Sequence, residues 1–324
     1  MSLLKLLPEF HSRPWGRRDL SPLYSLPEGA KQPIGEAWLT SLECRLLEPG
    51  AREARQTLGE RWAKMTAEER GRNAAGLERF PLLVKFLFTA EKLSIQVHPD
   101  NAYAREKENE PWGKTEMWHV VAAEPGGWVR VGAKPGMDPE AFRATLGKPE
   151  IEEALSHILV SAGDTIFVPA GTVHAIGPGL CLCEIQQHSD LTYRIYDYHR
   201  PGLDGKPRKL HLEQARAVAR PYTSEAGKVA PQPLDGRPEG RLLAASPYFV
   251  TEKYSAEKSW ELPDDPRHFN LLIVCRGRGK LAAQSAEWDY APGDAFLALA
   301  NAGPVEARPE QPGEFLRVYV PGSS

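Results

Sequence analysis

The sequence predicts a mainly β protein, and three observations carry that prediction. Its 324 residues include 28 glycines and 29 prolines, a frequency that favours many short strands joined by turns. Strand-like apolar runs recur along most of the chain, whereas segments of helical composition are few and charged. The stretch SAGDTIFVPAGTVHA at 161–175 resembles APGDAFLALANAG at 291–303 in register and turn. We therefore expect an internal duplication of a β domain, in which only the first copy ends in a histidine.

Charge and apolar content argue against two classes of partner. Lysine and arginine number 40 against 43 acidic residues, so the net charge of −3 gives no basic field for nucleic acid. No apolar run approaches the ~20 residues that span a bilayer, and the N-terminus lacks the cleavage site of a signal peptide. Four cysteines without framework spacing predict a reduced, cytoplasmic protein, with Cys181 and Cys183 on the buried face of a strand.

The order of elements along the chain predicts two domains. Thr66 and Glu69 form the pattern of a helix-capping box within one of the few helical segments. A proline- and glycine-rich stretch precedes a last region of successive strands. The predicted division is a first domain over 1–220, a linker over 221–240 and a second β domain over 241–324, with helical inserts in the first domain at about 56–80, 100–111, 138–157 and 210–219.

The stretch 91–120 carries the first candidate site. Its early part, LSIQVH, alternates apolar and polar residues, so Gln96 and His98 share one face of a predicted strand. Glu116 follows in a second strand-like run, KTEMWHVV. Three possible metal donors therefore lie on two strands that can pair.

His174 is the natural fourth donor. It ends the pattern Gly-x5-Pro-x-Gly-x2-His, in which glycines make turns and the proline ends a strand at a barrel rim. Taken alone, a histidine after a strand is more often structural than metal-binding. Gln96, taken alone, could equally be a buried amide that forms hydrogen bonds with the backbone. Together with His98 and Glu116, they offer a thiolate-free set that suits Zn²⁺ or another divalent first-row ion in a catalytic site. His119 points to the opposite face and is not included.

Cationic residues suggest a phosphate-binding function beside this site. Lys114 shares the parity of Glu116, and Arg194 and Arg200 follow a predicted hairpin of strands. An arginine fork and a lysine beside a metal suit a phosphate, although each residue alone is also explained by a solvated surface charge. Trp15 lies in a turn-like Arg-Pro-Trp-Gly run, where an aromatic plugging a loop onto the core is the simpler explanation.

Several motifs together resemble one known family. They are LSIQVHPDNAYA, GKTEMWHV, VPAGTVHAIG and EIQQHSDLTYRIYDY, supported by an early PIGEAW and the strands at the end of the chain. This combination resembles type I mannose-6-phosphate isomerases of the short bacterial form, which belong to the cupin superfamily. The resemblance implies two cupin-like (jelly-roll) β-barrels with a small helical insertion, the second barrel without metal. It also implies one Zn²⁺ per chain on Gln96, His98, Glu116 and His174.

The same resemblance implies a zinc-dependent interconversion of mannose 6-phosphate and fructose 6-phosphate. An aldose–ketose isomerase moves a proton between C1 and C2 through an enediol, and so needs a base near those carbons. Glu184 is the first choice for that base, Lys114 is a weaker one, and a metal-bound hydroxide is a third. Arg194, Glu184 and Lys114 are the predicted catalytic residues. The predicted substrate-binding residues are Ser94, Trp15 and Arg200, the last standing where longer relatives carry a lysine.

Two other functions remain open at this point. Two histidines and a carboxylate also describe the facial triad of a non-haem iron cupin oxygenase, against which stand Gln96 as a fourth donor and the cations. The metal-less second copy suggests a non-catalytic cupin that binds a sugar phosphate. The expected partner is a hexose 6-phosphate, with no nucleic acid and no membrane, and the oligomeric state is left open. The polar insert 100–113 is expected to form a wall or lid over the pocket.

Overall fold

The computed structural model describes residues 2–222 and 226–322 and confirms a mainly β protein. Within those ranges the helices are α1 (Leu58–Lys64), α2 (Ala67–Arg70), α3 (Asn101–Lys107), α4 (Pro139–Thr145), α5 (Ile151–Ala154) and α6 (Leu212–Val218). The strands are β1 (Leu3–Leu6), β2 (Glu9–Arg17), β3 (Ile34–Trp38), β4 (Arg45–Leu47), β5 (Gln56–Thr57), β6 (Leu82–Thr89), β7 (Ile95–Val97), β8 (Glu116–Ala123), β9 (Trp128–Ala133), β10 (Leu155–Leu159), β11 (Thr165–Val168), β12 (His174–Ile176), β13 (Leu180–Gln187), β14 (Tyr193–Tyr196), β15 (Gly227–Val229), β16 (Gln232–Leu234), β17 (Arg237–Ala245), β18 (Val250–Ala256), β19 (Trp260–Leu262), β20 (Asn270–Arg276), β21 (Gly279–Ala283), β22 (Ala286–Tyr290), β23 (Ala295–Ala298), β24 (Val305–Pro309) and β25 (Gly313–Tyr319).

These strands form four sheets in the described part of the chain. A five-stranded sheet has the order β10-β9-β12-β7-β14, and a seven-stranded sheet has the order β15-β11-β8-β13-β6-β3-β2. A nine-stranded sheet runs β16-β17-β18-β25-β20-β23-β1-β4-β5, and a four-stranded sheet runs β19-β24-β21-β22. Neighbouring strands are antiparallel, as in the register of β8 with β11 and β13.

Apolar clusters show that the sheets are stacked as layers. Helices α4, α5 and α6 cover the outer face of the five-stranded sheet through a cluster that includes Phe142. A cluster with Trp118 fills the space between the five- and seven-stranded sheets, and one with Phe86 joins the seven- to the nine-stranded sheet. A cluster with Phe296 joins the nine- to the four-stranded sheet. Each outer sheet with its inner neighbour is a β-sandwich consistent with a cupin-like fold.

The sequence of strand β6 reflects its position between two layers. Its residues LLVKFLFT are all buried because sheets or clusters pack on both of its faces. A strand buried on both faces loses the alternation of a half-exposed one and reads as a continuous apolar run. Lys85 is the single charged residue in that run, and it is 2% exposed. A buried lysine needs charged partners, which the site provides.

The strand order supports the internal duplication. Seven strands, β15-β11-β8-β13-β6-β3-β2, repeat as β1-β23-β20-β25-β18-β17-β16, and β10-β9-β12-β7 repeats as β22-β21-β24-β19. The turns before β11 and β23 are also alike, with Gly163 at φ 92° and Gly293 at φ 91°, where glycine avoids a steric penalty. Asp164 accepts a hydrogen bond from the Ser161 N–H at 2.8 Å, as Asp294 does from Ala291 at 2.9 Å.

Strand pairing crosses the predicted domain boundaries, which stay a prediction. From the N-terminal part, β1, β4 and β5 join the nine-stranded sheet, whereas β15 from the predicted linker extends the seven-stranded one. β16 and the start of β17 also lie within 221–240. Helices occur in all four predicted inserts but are shorter than the inserts, and the capping box of Thr66 and Glu69 is present. In the described ranges no helix has the length and apolarity needed to cross a membrane.

Candidate active site

A polar pocket of ≈ 350 Å³ opens between the five- and seven-stranded sheets. That volume lies within the range of small-molecule sites, roughly 300–1,000 Å³. Its lining is dominated by charged side chains, which are Arg13, Glu36, Lys85, Lys114, Glu184, Asp190, Arg194 and Arg208. Five are cationic and three acidic, so the lining as a whole favours an anionic ligand.

Beside Gln96 and Lys114, which line this pocket, the structure brings three predicted metal donors together. The Nε2 atom of His98 lies 3.6 Å from Glu116 Oε2, and the Nε2 atom of His174 lies 3.4 Å from Glu116 Oε1. All three side chains are almost completely buried. Ligands about 2.0–2.1 Å from a tetrahedral Zn²⁺ are separated by about 3.3 Å, so these distances are close to those of a metal site.

Hydrogen bonds to the backbone fix both imidazoles with Nε2 turned toward Glu116. The Nδ1–H of His98 donates to the carbonyl of Leu191, and that of His174 donates to the carbonyl of Thr172, each at 2.8 Å. Burial lowers the pKa of His98 well below its usual value and lowers the pKa of His174 to about 4, so both rings are neutral near pH 7. Such backbone bonds are the usual way in which a metal-ligating histidine is oriented.

Glu116 itself has the environment expected of a ligand. Both of its carboxylate oxygens are buried and accept no well-formed hydrogen bond. Burial of a carboxylate is costly, and a divalent cation held between this carboxylate and the two imidazoles would lower that cost. The ammonium of Lys114 lies 2.9 Å from Glu116 Oε2 and 3.3 Å from His98 Nε2. Burial lowers the pKa of Lys114, but the carboxylates of Glu116, Glu184 and Asp190 outweigh burial and raise it overall.

Strand register explains how Gln96 reaches the same place. On the five-stranded sheet it pairs directly with His174 on one side and with Arg194 on the other. Its amide Nε2 lies 3.3 Å from His174 Nε2, and a half-turn of the amide would present its oxygen there instead. The sheet therefore places the amide between the imidazole and the guanidinium.

A second group of charged residues lines the pocket beside the donors. Glu184 is buried, accepts a hydrogen bond from the Trp118 indole N–H at 3.2 Å, and lies 3.7 Å from the Lys85 ammonium. Burial raises the pKa of Glu184, with Lys114 opposing that shift. The Lys85 ammonium also donates to Asp190 Oδ1 at 3.2 Å.

Sequence reasoning missed Lys85 and Asp190. Lys85 could have been found from the sequence, because it is the one charged residue in the apolar run of β6. Buried charged side chains are concentrated at functional sites. Asp190 lies in the loop after β13, where only the fold shows which way the carboxylate faces.

The arginines differ in their position relative to the pocket. Arg194 lines it, with one N–H donating to the Lys209 carbonyl at 2.9 Å. Arg208 lines it as well and is held by two hydrogen bonds, of 2.7 and 2.6 Å, to Asp197. Arg200 is not among the lining residues of the described pocket, because its guanidinium donates to the Lys92 carbonyl at 2.7 Å and to Asp197 at 3.0 Å. Arg208 had no sequence signal beyond its charge.

The other predicted residues are placed as follows. Ser94 and Trp15 line the pocket, and so does Leu93, because regular strand alternation begins only at Ile95. Trp15 lies in β2, which contains a register shift, so the predicted turn is wrong. Among the described residues none of the insert 100–113 lines this pocket, so the expected wall or lid is not found there.

Comparison with known proteins decides the family. Residues 3–156 match the family model "Phosphomannose isomerase type I, catalytic domain". A mannose-6-phosphate isomerase of Bacillus subtilis is 32% identical over 298 residues, 90% of this chain and 90% of that protein. The chain belongs to the mannose-6-phosphate isomerase family. A second relative in this family, from Streptococcus mutans, is 36% identical over 225 residues, 68% of this chain and 69% of its own.

Solved structures of the family agree with the fold. The chain is similar to a crystal structure of the mannose 6-phosphate isomerase from Bacillus subtilis, with a TM-score of 0.86, 28% identity and coverage of 98% of this chain and 99% of that one. The structure of a phosphomannose isomerase variant from Salmonella typhimurium shares the fold, with a TM-score of 0.77 and 18% identity. The match covers 99% of this chain and 100% of that one. The family resemblance inferred from the motifs is therefore confirmed.

Proposed function

We propose that the protein interconverts mannose 6-phosphate and fructose 6-phosphate as a zinc-dependent enzyme. Membership of the isomerase family supports the reaction. One structural observation indicates where in the protein the reaction takes place. Glu184 lines a cationic pocket, and the cluster of His98, Glu116 and His174 lies directly beside its lining residues Gln96 and Lys114. Such a pocket combines a place for a metal, a proton-transfer group and a place for a phosphate.

The residues that would hold the metal are Gln96, His98, Glu116 and His174. They supply two neutral nitrogens, a carboxylate and an amide oxygen without a thiolate, which is a donor set suited to a catalytic Zn²⁺. When bound, the ion would polarise the sugar oxygens at C1 and C2 and stabilise negative charge on them. The backbone bonds of the two histidines would keep the donor geometry while the substrate changes.

Glu184 is the group that we assign to proton transfer. Its carboxylate would take the proton from C2 of the open-chain aldose, leaving an enediolate with the negative charge on O1. A proton would then pass from O2 to O1, and the Glu184 carboxyl group would return its proton to C1 to give the ketose. Burial raises its pKa, which favours a carboxyl group that both accepts and releases a proton during the reaction. The Trp118 N–H orients the carboxylate, while the Lys85 and Lys114 ammonium groups stabilise its charged form.

Arg194 and Arg208 are the groups that we assign to the substrate phosphate. Both line the pocket, and guanidinium groups bind phosphate oxygens with paired, charge-assisted hydrogen bonds. Anchoring the phosphate would align C1 and C2 with Glu184 and so convert binding energy into orientation. Asp197 holds Arg208 in place from behind, so its guanidinium is preorganised before the substrate arrives.

A coupled turnover assay tests the proposal. Zinc-loaded protein is expected to convert mannose 6-phosphate to fructose 6-phosphate, to lose that activity with a chelator and to regain it when zinc returns. Absence of turnover in protein shown to contain zinc would contradict the isomerase function. Turnover that survives complete removal of metal would contradict the zinc dependence alone.

A further inference from the structure

A second group of metal-donor side chains lies between the seven- and nine-stranded sheets. It consists of His119 on β8, Cys275 on β20 and Glu314 on β25, whose donor atoms all lie within 4.8 Å of one another. His119 points away from Glu116 and the pocket, as its strand parity predicts. We propose that these three side chains bind a second divalent cation of the zinc type, separate from the catalytic one.

The positions of the donors are set by central strands. β8 lies between β11 and β13, while β20 lies between β25 and β23, so the backbones carrying all three residues are held in sheets. The Nε2 atom of His119 is 3.1 Å from Glu314 Oε1, close to the separation of about 3.3 Å between two ligands of a tetrahedral Zn²⁺.

Burial and hydrogen bonding indicate a group that a cation would stabilise. His119 is completely buried, and its Nε2 faces the Glu314 carboxylate. Cys275 is buried within the apolar cluster of the two sheets, where it has no evident polar function. The hydrogen bond from His119 and the Lys253 ammonium, 3.2 Å away, account for the Glu314 carboxylate but leave the thiol unused.

The charges of the bound state would balance. Burial raises the pKa of the Cys275 thiol well above its usual value, but a coordinating thiol is deprotonated by the metal and releases its proton. One thiolate and one carboxylate then neutralise a divalent cation, which suits an apolar interface. The Lys253 side chain, 17% exposed, can leave Glu314 for solvent, and Glu314 at 19% exposure leaves a fourth position open to water.

The donor set also indicates which cation fits. Sulfur, nitrogen and oxygen donors together favour Zn²⁺ over Mg²⁺ or Ca²⁺, which prefer oxygen alone. Because the histidine comes from one sheet and the cysteine and glutamate from the other, the ion would join the two inner layers. Its function would be structural rather than catalytic.

Cobalt substitution separates this site from the pocket by spectroscopy. Metal-free protein loaded with Co²⁺ is expected to bind two ions per chain and to show a thiolate-to-cobalt charge-transfer band in the near ultraviolet. The pocket donors include no sulfur and cannot produce that band. Cys275→Ala is expected to lose the band and one of the two ions while kcat of the zinc-loaded enzyme stays unchanged.

Two further variants keep the test decisive. Cys44→Ala removes a buried thiol outside the group and is expected to keep both ions and the band. His119→Gln is expected to lose the second ion as Cys275→Ala does, which covers the case in which one variant folds poorly. A wild-type protein that binds one Co²⁺ without the band, or a band that persists in Cys275→Ala, overturns the proposal.

Discussion

Glu184 and Glu116 show how burial gives two carboxylates different functions. Glu116 lies beside two imidazole nitrogens and the Lys114 ammonium, whereas Glu184 accepts a hydrogen bond from Trp118 and lies beside Lys85. The first environment suits a metal ligand, and the second suits a group that exchanges a proton. Two carboxyl groups in one pocket with different partners are a common arrangement in acid–base catalysis.

The assignment of Glu184 predicts a specific kinetic change. Glu184→Gln keeps the shape and the indole contact but removes the proton-accepting oxygen, so kcat is expected to fall about 10²–10⁴-fold. KM and bound zinc should change little, because the residue lies outside the donor set. Steady-state kinetics with metal analysis measure both. A normal kcat would remove Glu184 from the proton transfer.

The two arginines beside Asp197 predict a difference in substrate binding. Arg208→Ala removes a guanidinium that lines the pocket, so kcat/KM is expected to fall about 10–100-fold, the value of a charge-assisted hydrogen bond. Inorganic phosphate should also become a weaker inhibitor. Arg200→Ala is expected to change both values less, and Arg216→Ala, on an exposed helix position, is the control. Equal losses in Arg200→Ala and Arg208→Ala would contradict the assignment.

Residue patterns predicted the donors better than they predicted the rest of the pocket. Strand parity put Gln96 and His98 on one face and excluded His119, and in the structure Gln96 and His98 lie in one cluster while His119 faces Glu314. Arg208 and Asp190 were not predicted, because they lie in loops. Loop residues have no regular periodicity that shows which way their side chains point. Their positions depend on how distant loops meet across the open end of the sandwich.

Strand β2 shows where local composition misleads at the scale of an element. Its Arg-Pro-Trp-Gly run resembles a turn, but tertiary packing keeps it extended with an irregular register against β3. Gly16 allows that close approach, because an added Cβ would lie 2.5 Å from the Ile34 carbonyl carbon. The next-door Trp15 then reaches the pocket wall.

Substitution of that glycine tests this packing. Gly16→Ala is expected to push β2 away from β3 and to lower the free energy of unfolding by about 1–3 kcal/mol. KM should rise too, since Trp15 would move. Gly76→Ala is the matched control, because nothing lies within 4 Å of its added Cβ. Urea unfolding compares the two, and equal stability would show that β2 accommodates the methyl group.

The sequence predicted where the helical elements lie along the chain, but it did not predict their lengths. The capping box at Thr66 fixed the start of α2, whereas charged composition alone extended the predicted inserts beyond the helices that form. Polar loops and polar helices share composition, and only caps and packing distinguish them.

At the scale of the whole molecule, the duplication places other side chains at positions equivalent to those of the first pocket. By strand register, Asn270 stands where Glu116 does. The Lys85–Glu184 pair is replaced by Glu252 and Arg317, with the charges exchanged between the strands. Arg317 donates to Asn270 at 2.7 Å and to Glu252 at 2.9 Å.

That buried ion pair predicts a structural function for the second sandwich. Glu252→Ala leaves a buried guanidinium without its charge partner and is expected to lower the free energy of unfolding by about 3–5 kcal/mol. Replacing both residues by methionine should recover much of that loss. Urea unfolding gives the stability, and kcat of each folded variant should match wild type. A drop in kcat at full stability would assign this pair a part in catalysis.

The central claim is that the Glu116 site and the cationic pocket together perform the isomerase reaction. The most direct measurement is fructose 6-phosphate formation from mannose 6-phosphate, with bound zinc determined on the same samples, for wild type and Glu116→Gln. We expect turnover and zinc in the wild type, and loss of both in Glu116→Gln. Glu213→Gln, an exposed helix position, should match the wild type. Full turnover in Glu116→Gln, or none in zinc-loaded wild type, would contradict the account.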